Sequence, residues 1–226
     1  MESWRLRLVV WAVPCAVAAQ GAPPAVLPPV ATTALARSLA AAGAHPQHVW
    51  RDTAPYAGEL VVAYIEIARG DRRKWEYRMA ANAREVDRTM PGDLGGYPIN
   101  YGYVPQTVSY DGDPFDALVL GPPLPGGSIV QGAVAGLMYM DDEKGYDAKV
   151  VLSPVDAEGR PIFTITDAVR STVATYFREY KRGTMSGFSR VPGWGGIEDG
   201  RAHVAIAHAF FRACRDVPGK PCRSSP

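Results

Sequence analysis

Hydrophobic positions follow a strand-like pattern through the first two thirds of the chain. Residues 59–68 (ELVVAYIEIA) are almost continuously apolar and rich in β-branched side chains, which predicts a buried strand. Residues 74–78 (KWEYR) alternate strictly, so the charged and the aromatic side chains are expected on opposite faces of a strand. Further strands are predicted at residues 85–88, 117–120, 128–140 and 148–154.

The pattern changes to a helical period in the last third. Apolar side chains recur at helical spacing over residues 165–182, with Thr166 or Asp167 as the predicted N-cap and Gly183 beyond the end. Residues 201–215 predict a second amphipathic helix, and residues 191–196 (VPGWGG) predict a loop between the two. Strands first and helices last indicate an α+β fold, mainly β, with a mostly antiparallel sheet or barrel.

The N-terminal residues have the pattern of a secretory signal peptide. Arg5 and Arg7 precede the apolar residues 8–19, which end in small side chains. That stretch is shorter than the roughly 20 residues that a membrane-spanning helix needs. We expect residues 1–19 to be a cleaved signal, residues 20–50 to be a linker or N-terminal extension, and residues 51–226 to be one folded domain. The alternatives are an uncleaved anchor and a start assigned too early.

Within the extension, the Ala-rich residues 31–42 predict a short helix. Cleavage would remove Cys15 and leave Cys214 and Cys222, with the turn dipeptide Pro218-Gly219 between them. In an exported chain this pair predicts a disulfide, which would stabilise the fold by about 2–3 kcal/mol. The alternative is two free thiols. The predicted location is the periplasm, with no stable membrane anchor after processing, or the cytoplasm if the segment is not a signal.

Charge changes this picture in one region. The net charge of +1 gives the chain no overall attraction to nucleic acid or to anionic membranes. Acidic side chains are nevertheless concentrated at residues 111–147, where Lys144 is the one basic residue. Carboxylates this crowded repel one another unless cations neutralise them, as Mg²⁺ and other oxygen-binding divalent ions do. The acidic side chains are Asp111, Asp113, Asp116, Asp141, Asp142, Glu143 and Asp147.

Motif spacing excludes several classes of site. Residues 111–116 (DGDPFD) do not begin an EF-hand, which requires Gly at the position of Asp116 and Glu at that of Pro122. The chain has no P-loop, H-E-x-x-H, G-x-S-x-G or dinucleotide-binding glycine motif. The four histidines show no ligand spacing, and no role is predicted for them. Glu66, inside an apolar strand, needs a partner or an ion, and Lys149 is expected on the same strand face as Asp147.

These segments together resemble the soluble family I inorganic pyrophosphatases, in order from about residue 59 to 194. The resemblance implies a five-stranded, OB-like β-barrel with flanking C-terminal helices. It also implies Mg²⁺-dependent hydrolysis of pyrophosphate to two phosphates. The matching segments are IEI at 65–67, KWE at 74–76, VDR at 86–88, YPINYGY at 97–103, DGDPFD at 111–116, DDEKGYDAK at 141–149 and YK at 180–181.

The resemblance also implies roles for single residues, with several Mg²⁺ ions as cofactors and pyrophosphate as the substrate. Asp113 would be the general base, and a homo-oligomer is expected. The implied metal ligands are Asp111, Asp116, Asp142 and Asp147, with Glu66 and Glu76 lining the same cavity through metal or water. The implied phosphate contacts are Lys74, Arg88, Tyr101, Lys149, Tyr180 and Lys181, of which the first three act with Asp113 in catalysis.

Two other functions compete with this interpretation. One is a related phosphoanhydride hydrolase that acts on short polyphosphate or nucleotides. The other is a non-enzymatic OB-fold binding module. Such modules stack bases on exposed aromatic side chains in basic grooves, whereas the acidic cluster here would repel a nucleic-acid backbone. We therefore expect no nucleic-acid partner.

Overall fold

A computed structural model describes Arg37, Leu39, residues 47–184 and residues 187–215. Cys214 and Arg215 are described by their backbone alone. The segment 1–19, most of the segment 20–50 and Cys222 lie outside the described residues, so the signal peptide and the disulfide stay predictions. Arg37 and Leu39, which fall in the predicted helix 31–42, are helical. None of the helices in the described part is both long and apolar enough to cross a membrane.

The described residues from 47 to 215 form ten strands and three α-helices. In chain order they are α1 (Val49–Asp52), β1 (Tyr56–Ala57), β2 (Leu60–Ile67), β3 (Arg73–Arg78), β4 (Ala83–Thr89), β5 (Asn100–Tyr103), β6 (Asp116–Val119), β7 (Ile129–Asp142), β8 (Gly145–Tyr146), β9 (Lys149–Pro154), α2 (Asp167–Glu179), β10 (Ser189–Gly195) and α3 (Ile197–Arg215). A single 3₁₀ turn, Met79–Ala81, connects β3 to β4.

Five of these strands form a ring. Strand β2 pairs with β5, β5 with β6, β6 with β9, β9 with β7, and β7 returns to β2. All of these pairs are antiparallel except β6 with β9, which is parallel. The predicted mainly β fold with a five-stranded, OB-like architecture is therefore confirmed.

Alternating side chains of the ring strands contact different helices. Leu118 and Val151 belong to a core cluster with Val173 and Phe177 of α2. Their neighbours along the strands belong to a second cluster that includes Val204 of α3. Because successive side chains of a strand point to opposite faces, the central strands are buried on both sides, as the apolar runs in the sequence predict.

The β3–β4 hairpin stands apart from the ring as a two-stranded sheet of its own. Its register shifts by one residue between Lys74 and Trp75, opposite Arg88 and Val86. Such a bulge increases the local twist and redirects side chains. Lys74 and Arg88 are direct partners across the hairpin and lie next to each other at its open end.

The predicted loop at residues 191–196 is wrong, because most of it belongs to β10, which pairs with β7. The register shifts between Arg190 and Gly193, so Pro192, which has no N–H to donate, lies in an irregular part of the ladder. The second helix also begins before its predicted start. Asp199 Oδ2 accepts a hydrogen bond from Gly196 N at 2.7 Å, which caps the first turn.

The close approach of β5 to β2 gives a test of the ring. A Cβ atom on Gly102 would lie 1.8 Å from the backbone oxygen of Tyr64, whereas one on Gly193 would meet nothing within 4 Å. We expect Gly102→Ala to lower the free energy of unfolding by about 3 kcal/mol, because two strands must separate. Gly193→Ala should change it by less than about 0.5 kcal/mol. Denaturant unfolding of both variants checks this, and equal stabilities would contradict the strand packing.

Candidate active site

One cavity of about 500 Å³ opens where the acidic turns, the β3–β4 hairpin and the end of α2 meet. A liquid water occupies about 30 Å³, so the cavity has room for a small polyanion together with hydrated cations. Its charged and tyrosine side chains are Glu66, Lys74, Glu76, Tyr77, Arg78, Asp87, Arg88, Tyr101, Tyr103, Asp111, Asp113, Asp116, Asp142, Glu143, Lys144, Asp147, Tyr180 and Lys181.

The first acidic turn is shaped by its own side chains. Asp111 Oδ1 accepts a hydrogen bond from Asp113 N at 3.1 Å, and Asp113 O accepts one from Ser109 N at 2.7 Å. Gly112 between them has a φ of 86°, which favours glycine. Asp116 follows as the first residue of β6. This turn therefore brings three carboxylates to the cavity within six residues.

The second acidic turn, between β7 and β8, has the same local hydrogen bond from a backbone N–H to a carboxylate two residues earlier. Asp142 Oδ1 accepts a hydrogen bond from Lys144 N at 2.7 Å. Because side chains alternate along β7, Asp142 faces the cavity while Asp141 does not line it and pairs with Arg190 at 3.3 Å. Asp147 lines the cavity just before β9. Asp141 is thus the member of the sequence cluster that the fold directs elsewhere.

Lysine ammonium groups lie between pairs of these carboxylates. Lys149 Nζ donates to Asp147 at 2.9 Å and also to Asp116, and the Lys149 side chain is 1 % exposed. Lys181 Nζ lies 2.6 Å from Asp142 Oδ2 and also contacts Glu143. Lys144 Nζ likewise contacts Asp111 and Asp113, at 3.3 and 3.0 Å. Protein cations thus neutralise most of the acidic cluster in this state.

This neutralisation is incomplete. Burial raises the pKa of the Glu66 carboxyl to about 8, and the charge of Asp116 adds to the shift. Burial also raises the pKa of Asp147 to about 8, although Lys149 opposes it. Burial and the charge of Asp111 raise the pKa of Asp113 to about 6. Because the Asp113 side chain is 63 % exposed, water screens the burial effect, and we attribute this last shift chiefly to Asp111.

The donor set fits hard divalent cations. Every candidate ligand is a carboxylate oxygen, which is the donor that Mg²⁺ prefers. Buried carboxylates with raised pKa values gain the most from an added cation. Among the described residues no three His, Cys, Asp or Glu side chains already form a metal-binding group, because lysines lie between the carboxylates. A cation entering the cavity must therefore displace ammonium groups such as that of Lys149.

Other side chains supply hydrogen-bond donors to the same cavity. Arg88 Nη1 pairs with Asp87 at 3.1 Å, while Arg88 Nη2 is buried without a hydrogen-bond partner in the described structure. Lys74 forms ion pairs with Glu76 and with Asp87, the latter at 3.4 Å. A buried donor without an acceptor costs free energy. The cavity is therefore prepared for an anionic ligand beside Arg88.

Comparison with known proteins identifies the family. Residues 63–212 match the family model for inorganic pyrophosphatase. This chain belongs to the inorganic pyrophosphatase family. An inorganic pyrophosphatase of Thermus thermophilus is 38 % identical over 162 residues, which cover 66 % of this chain and 91 % of the relative. One of Saccharolobus solfataricus is 32 % identical over 158 residues, covering 67 % of this chain and 91 % of the relative.

Solved inorganic pyrophosphatase structures share the fold. The crystal structure from Thermus thermophilus superposes with a TM-score of 0.66 and 32 % identity, covering 73 % of this chain and 99 % of that one. The structure from Coxiella burnetii gives a TM-score of 0.64 and 31 % identity, covering 70 % and 99 %. The family match begins after α1, so residues 47–53 lie outside it.

In this pyrophosphatase-family fold, all the predicted site residues except Lys149 line the cavity. Lys149 lies beneath the cavity surface and contacts Asp116 and Asp147. Sequence reasoning assigned no role to Asp87 or Lys144, although both lie in the segments that carry the resemblance. Their positions in the sequence could have indicated them, since Asp87 directly precedes Arg88 and Lys144 lies within the second acidic turn. Tyr103 was also missed, and its buried hydroxyl has no hydrogen-bond partner among the described residues.

Glu66 provides a test of the electrostatics of the metal-free protein. Its pKa rises from an ordinary 4.5 to about 8 on folding, so the folded state holds its proton longer than the unfolded state does. Its ionisation therefore costs stability as the pH rises between those values. Glu66→Gln keeps an oxygen for the hydrogen bond from Tyr77 N, at 2.6 Å, and should raise the melting temperature more at pH 8 than at pH 5. Thermal melts in chelator check this, and an equal gain at both pH values would contradict it.

Proposed function

We propose that this protein hydrolyses inorganic pyrophosphate to two phosphates, using divalent cations bound by the acidic turns. The observation that carries the proposal is a single cavity that combines crowded carboxylates with Arg88 Nη2, a buried donor without an acceptor. Carboxylates suit cations, and the arginine suits a phosphoryl oxygen. Membership in the inorganic pyrophosphatase family supports the same conclusion.

The proposed phosphate-binding side chains of the cavity surface come from the hairpin, from β5 and from the end of α2. Lys74 and Arg88 are cross-strand partners in the β3–β4 hairpin, and Tyr180 and Lys181 follow directly on α2. Together with Tyr101, these groups would hold the two phosphates between the hairpin and the helix. Arg and Lys neutralise the charge on phosphoryl oxygens that otherwise repels an attacking water.

Lys149 has a different contribution because it is buried. Its ammonium contacts Asp116 and Asp147, and the Tyr101 hydroxyl donates to Asp116 at 2.6 Å. These bonds orient the two carboxylates before any ligand arrives. We propose that the Lys149 ammonium gives up part of this contact when cations bind Asp116 and Asp147. It would then donate to a phosphate oxygen instead.

Asp113 is the proposed proton acceptor. It lies between Asp111 and Asp116 in sequence, lines the same cavity, and is more exposed than Asp111, whose side chain is 18 % exposed. Water attacks one phosphorus, the bond from that phosphorus to the bridging oxygen breaks, and the proton of the water passes to the Asp113 carboxylate. The other phosphate leaves with the bridging oxygen.

The cations have a defined place in this scheme. The proposed ligands are Asp111, Asp116, Asp142 and Asp147, with Glu66 and Glu76 acting through metal or water. We propose Mg²⁺ as the cation and several ions per site. When bound, such ions lower the charge on the phosphates and make water a better nucleophile.

Two features of the whole protein are part of the proposal. Export to the periplasm with loss of residues 1–19 is supported by Arg5, Arg7 and the short apolar stretch that follows them. Assembly as a homo-oligomer stays a prediction. Neither feature alters the chemistry of the cavity.

A phosphate-release assay tests the activity. With pyrophosphate and excess Mg²⁺ we expect turnover well above that with triphosphate or ATP, and none in excess chelator. Ca²⁺ should inhibit, because its longer bonds and looser geometry misplace the reacting groups. A preference for triphosphate or ATP would favour a broader phosphoanhydride hydrolase. No release from any substrate would favour a binding module.

Replacing Asp113 tests the proton acceptor. Asp113→Asn removes the base but keeps the size of the side chain, so kcat at saturating Mg²⁺ should fall by about 10²–10⁴-fold, as general-base loss does. More Mg²⁺ should not restore it.

Asp142→Asn is the matched control, because it removes a proposed metal ligand rather than the base. Added Mg²⁺ should partly restore its activity. Steady-state rates measured across a Mg²⁺ titration compare the two variants. Rescue of Asp113→Asn by Mg²⁺, or a near-normal kcat, would place the base elsewhere.

A further inference from the structure

A short N-terminal segment bonds to two parts of the chain that lead into the cavity, the turn of the β3–β4 hairpin and the loop before the first acidic turn. Residues 47–53, here called the clasp, contain α1 and precede the family match. His48 and Trp50 of the clasp are both 0 % exposed. Complete burial of these two side chains, in a segment that the family match does not include, calls for a structural reason.

The clasp bonds first to the turn of the β3–β4 hairpin. His48 Nε2 donates to Met79 O at 2.8 Å. Val49 N donates to Asn82 Oδ1 at 3.0 Å, and Asn82 Nδ2 donates to Gln47 O at 3.1 Å. These three bonds join the turn to three consecutive residues of the clasp.

The bonding pattern defines the state of His48. Its Nδ1 accepts a hydrogen bond from Arg51 N at 3.2 Å, while Nε2 faces the carbonyl oxygen of Met79, which can only accept. The ring is therefore neutral, with its proton on Nε2. It also packs edge-on against Tyr77, with 5.4 Å between the ring centroids, and Tyr77 N donates to the Glu66 carboxylate.

The clasp bonds second to the loop that leads to the first acidic turn. Trp50 Nε1 donates to Thr107 O at 2.8 Å, and Gln106 N donates to Trp50 O at 2.8 Å. The Thr107 hydroxyl accepts a hydrogen bond from Phe115 N at 3.0 Å. Phe115 lies within the DGDPFD turn, so the clasp is joined to the segment that carries the proposed base.

The hairpin shares no backbone ladder with the ring sheet. It is joined to β2 by bonds from Tyr77 N and Arg84 to Glu66, and the clasp adds bonds at its turn. The hairpin carries Lys74 and Arg88, whereas the loop beyond Thr107 carries Asp111 and Asp113. We propose that His48 is a positioning residue, which fixes the hairpin relative to the acidic loop and so fixes the phosphate-binding groups relative to the proton acceptor. The effect of His48 on catalysis rests on the proposed function.

His48→Phe tests the proposal with two measurements. The variant keeps an aromatic ring against Tyr77 but loses the side-chain bonds to Met79 O, to Arg51 N and to the Tyr77 hydroxyl, which lies 3.1 Å from Nδ1. In the metal-free protein, we expect the amides of the hairpin to exchange hydrogen for deuterium faster, while those of β6 keep their wild-type rates. The KM for pyrophosphate should rise about tenfold because the phosphate-binding groups lose their fixed position. The Mg²⁺ concentration for half-maximal activity should change by less than about twofold.

Two further variants separate positioning from packing. His48→Gln can still donate to Met79 O and should recover much of the wild-type KM and hairpin protection. His208→Phe is the matched control, because His208 Nδ1 also bonds a backbone oxygen, that of Gln106, at 2.8 Å, but does not touch the hairpin. It should leave the hairpin exchange and the KM at their wild-type values.

Asn82→Gly cuts the same junction from the hairpin side. Asn82 has a φ of 49°, which glycine adopts without strain. This variant should reproduce the effects of His48→Phe, and it serves if His48→Phe does not fold. If neither variant folds, the clasp is a requirement for folding and the proposal is overturned.

The exchange measurement keeps the two proposals distinguishable. If the wild-type protein releases no phosphate from pyrophosphate, the proposed function fails, while hairpin exchange still reports on the clasp. Unchanged hairpin exchange in His48→Phe would overturn the positioning role even if the enzyme is active. Faster exchange spread evenly over hairpin and ring would also overturn it, because that result describes a general loss of stability.

Discussion

Mutual repulsion among buried carboxylates is the constraint on which this structure depends. The fold brings Asp111, Asp116, Asp142 and Asp147 into one cavity, where like charges repel one another. In the state described, Lys149 and its counterparts offset that repulsion by lying between pairs of acids. Divalent cations would offset the same repulsion, so the stability of the site and its proposed chemistry have the same physical origin.

The two sides of the cavity have different mechanical support. The acidic turns belong to strands of the ring, where backbone ladders and cores on both faces hold them. The β3–β4 hairpin, with Lys74 and Arg88, forms its own small sheet, and side-chain bonds such as that from Tyr77 N to Glu66 join it to the ring. The proposed role of His48 therefore concerns the proposed phosphate-binding groups of the hairpin rather than the proposed metal ligands.

The start of α3, strand β10 and the contacts of His48 were not predicted from the sequence. Asp199 caps α3 and moves its start ahead of the predicted one, and a register shift lets Pro192 belong to a strand region that was predicted to be a loop. The cap is local, since Gly196 and Asp199 are three residues apart, whereas the strand pairing depends on β7, which lies far away in the chain. His48 was assigned no role because its partners, Met79 and Asn82, are far away in sequence and bond through backbone and amide atoms.

The sequence by itself determined most of the ring strands, the two long helices, the crowding of acids at residues 111–147 and the family resemblance, because periodicity and motif spacing are local properties. It also indicated that Asp147 and Lys149 share a strand face, and their side chains do contact each other. Only the tertiary structure decided that Asp141 pairs with Arg190 away from the cavity and that a lysine lies between each pair of acids. Those outcomes depend on strand register and on distances between segments far apart in the chain, which no local pattern contains.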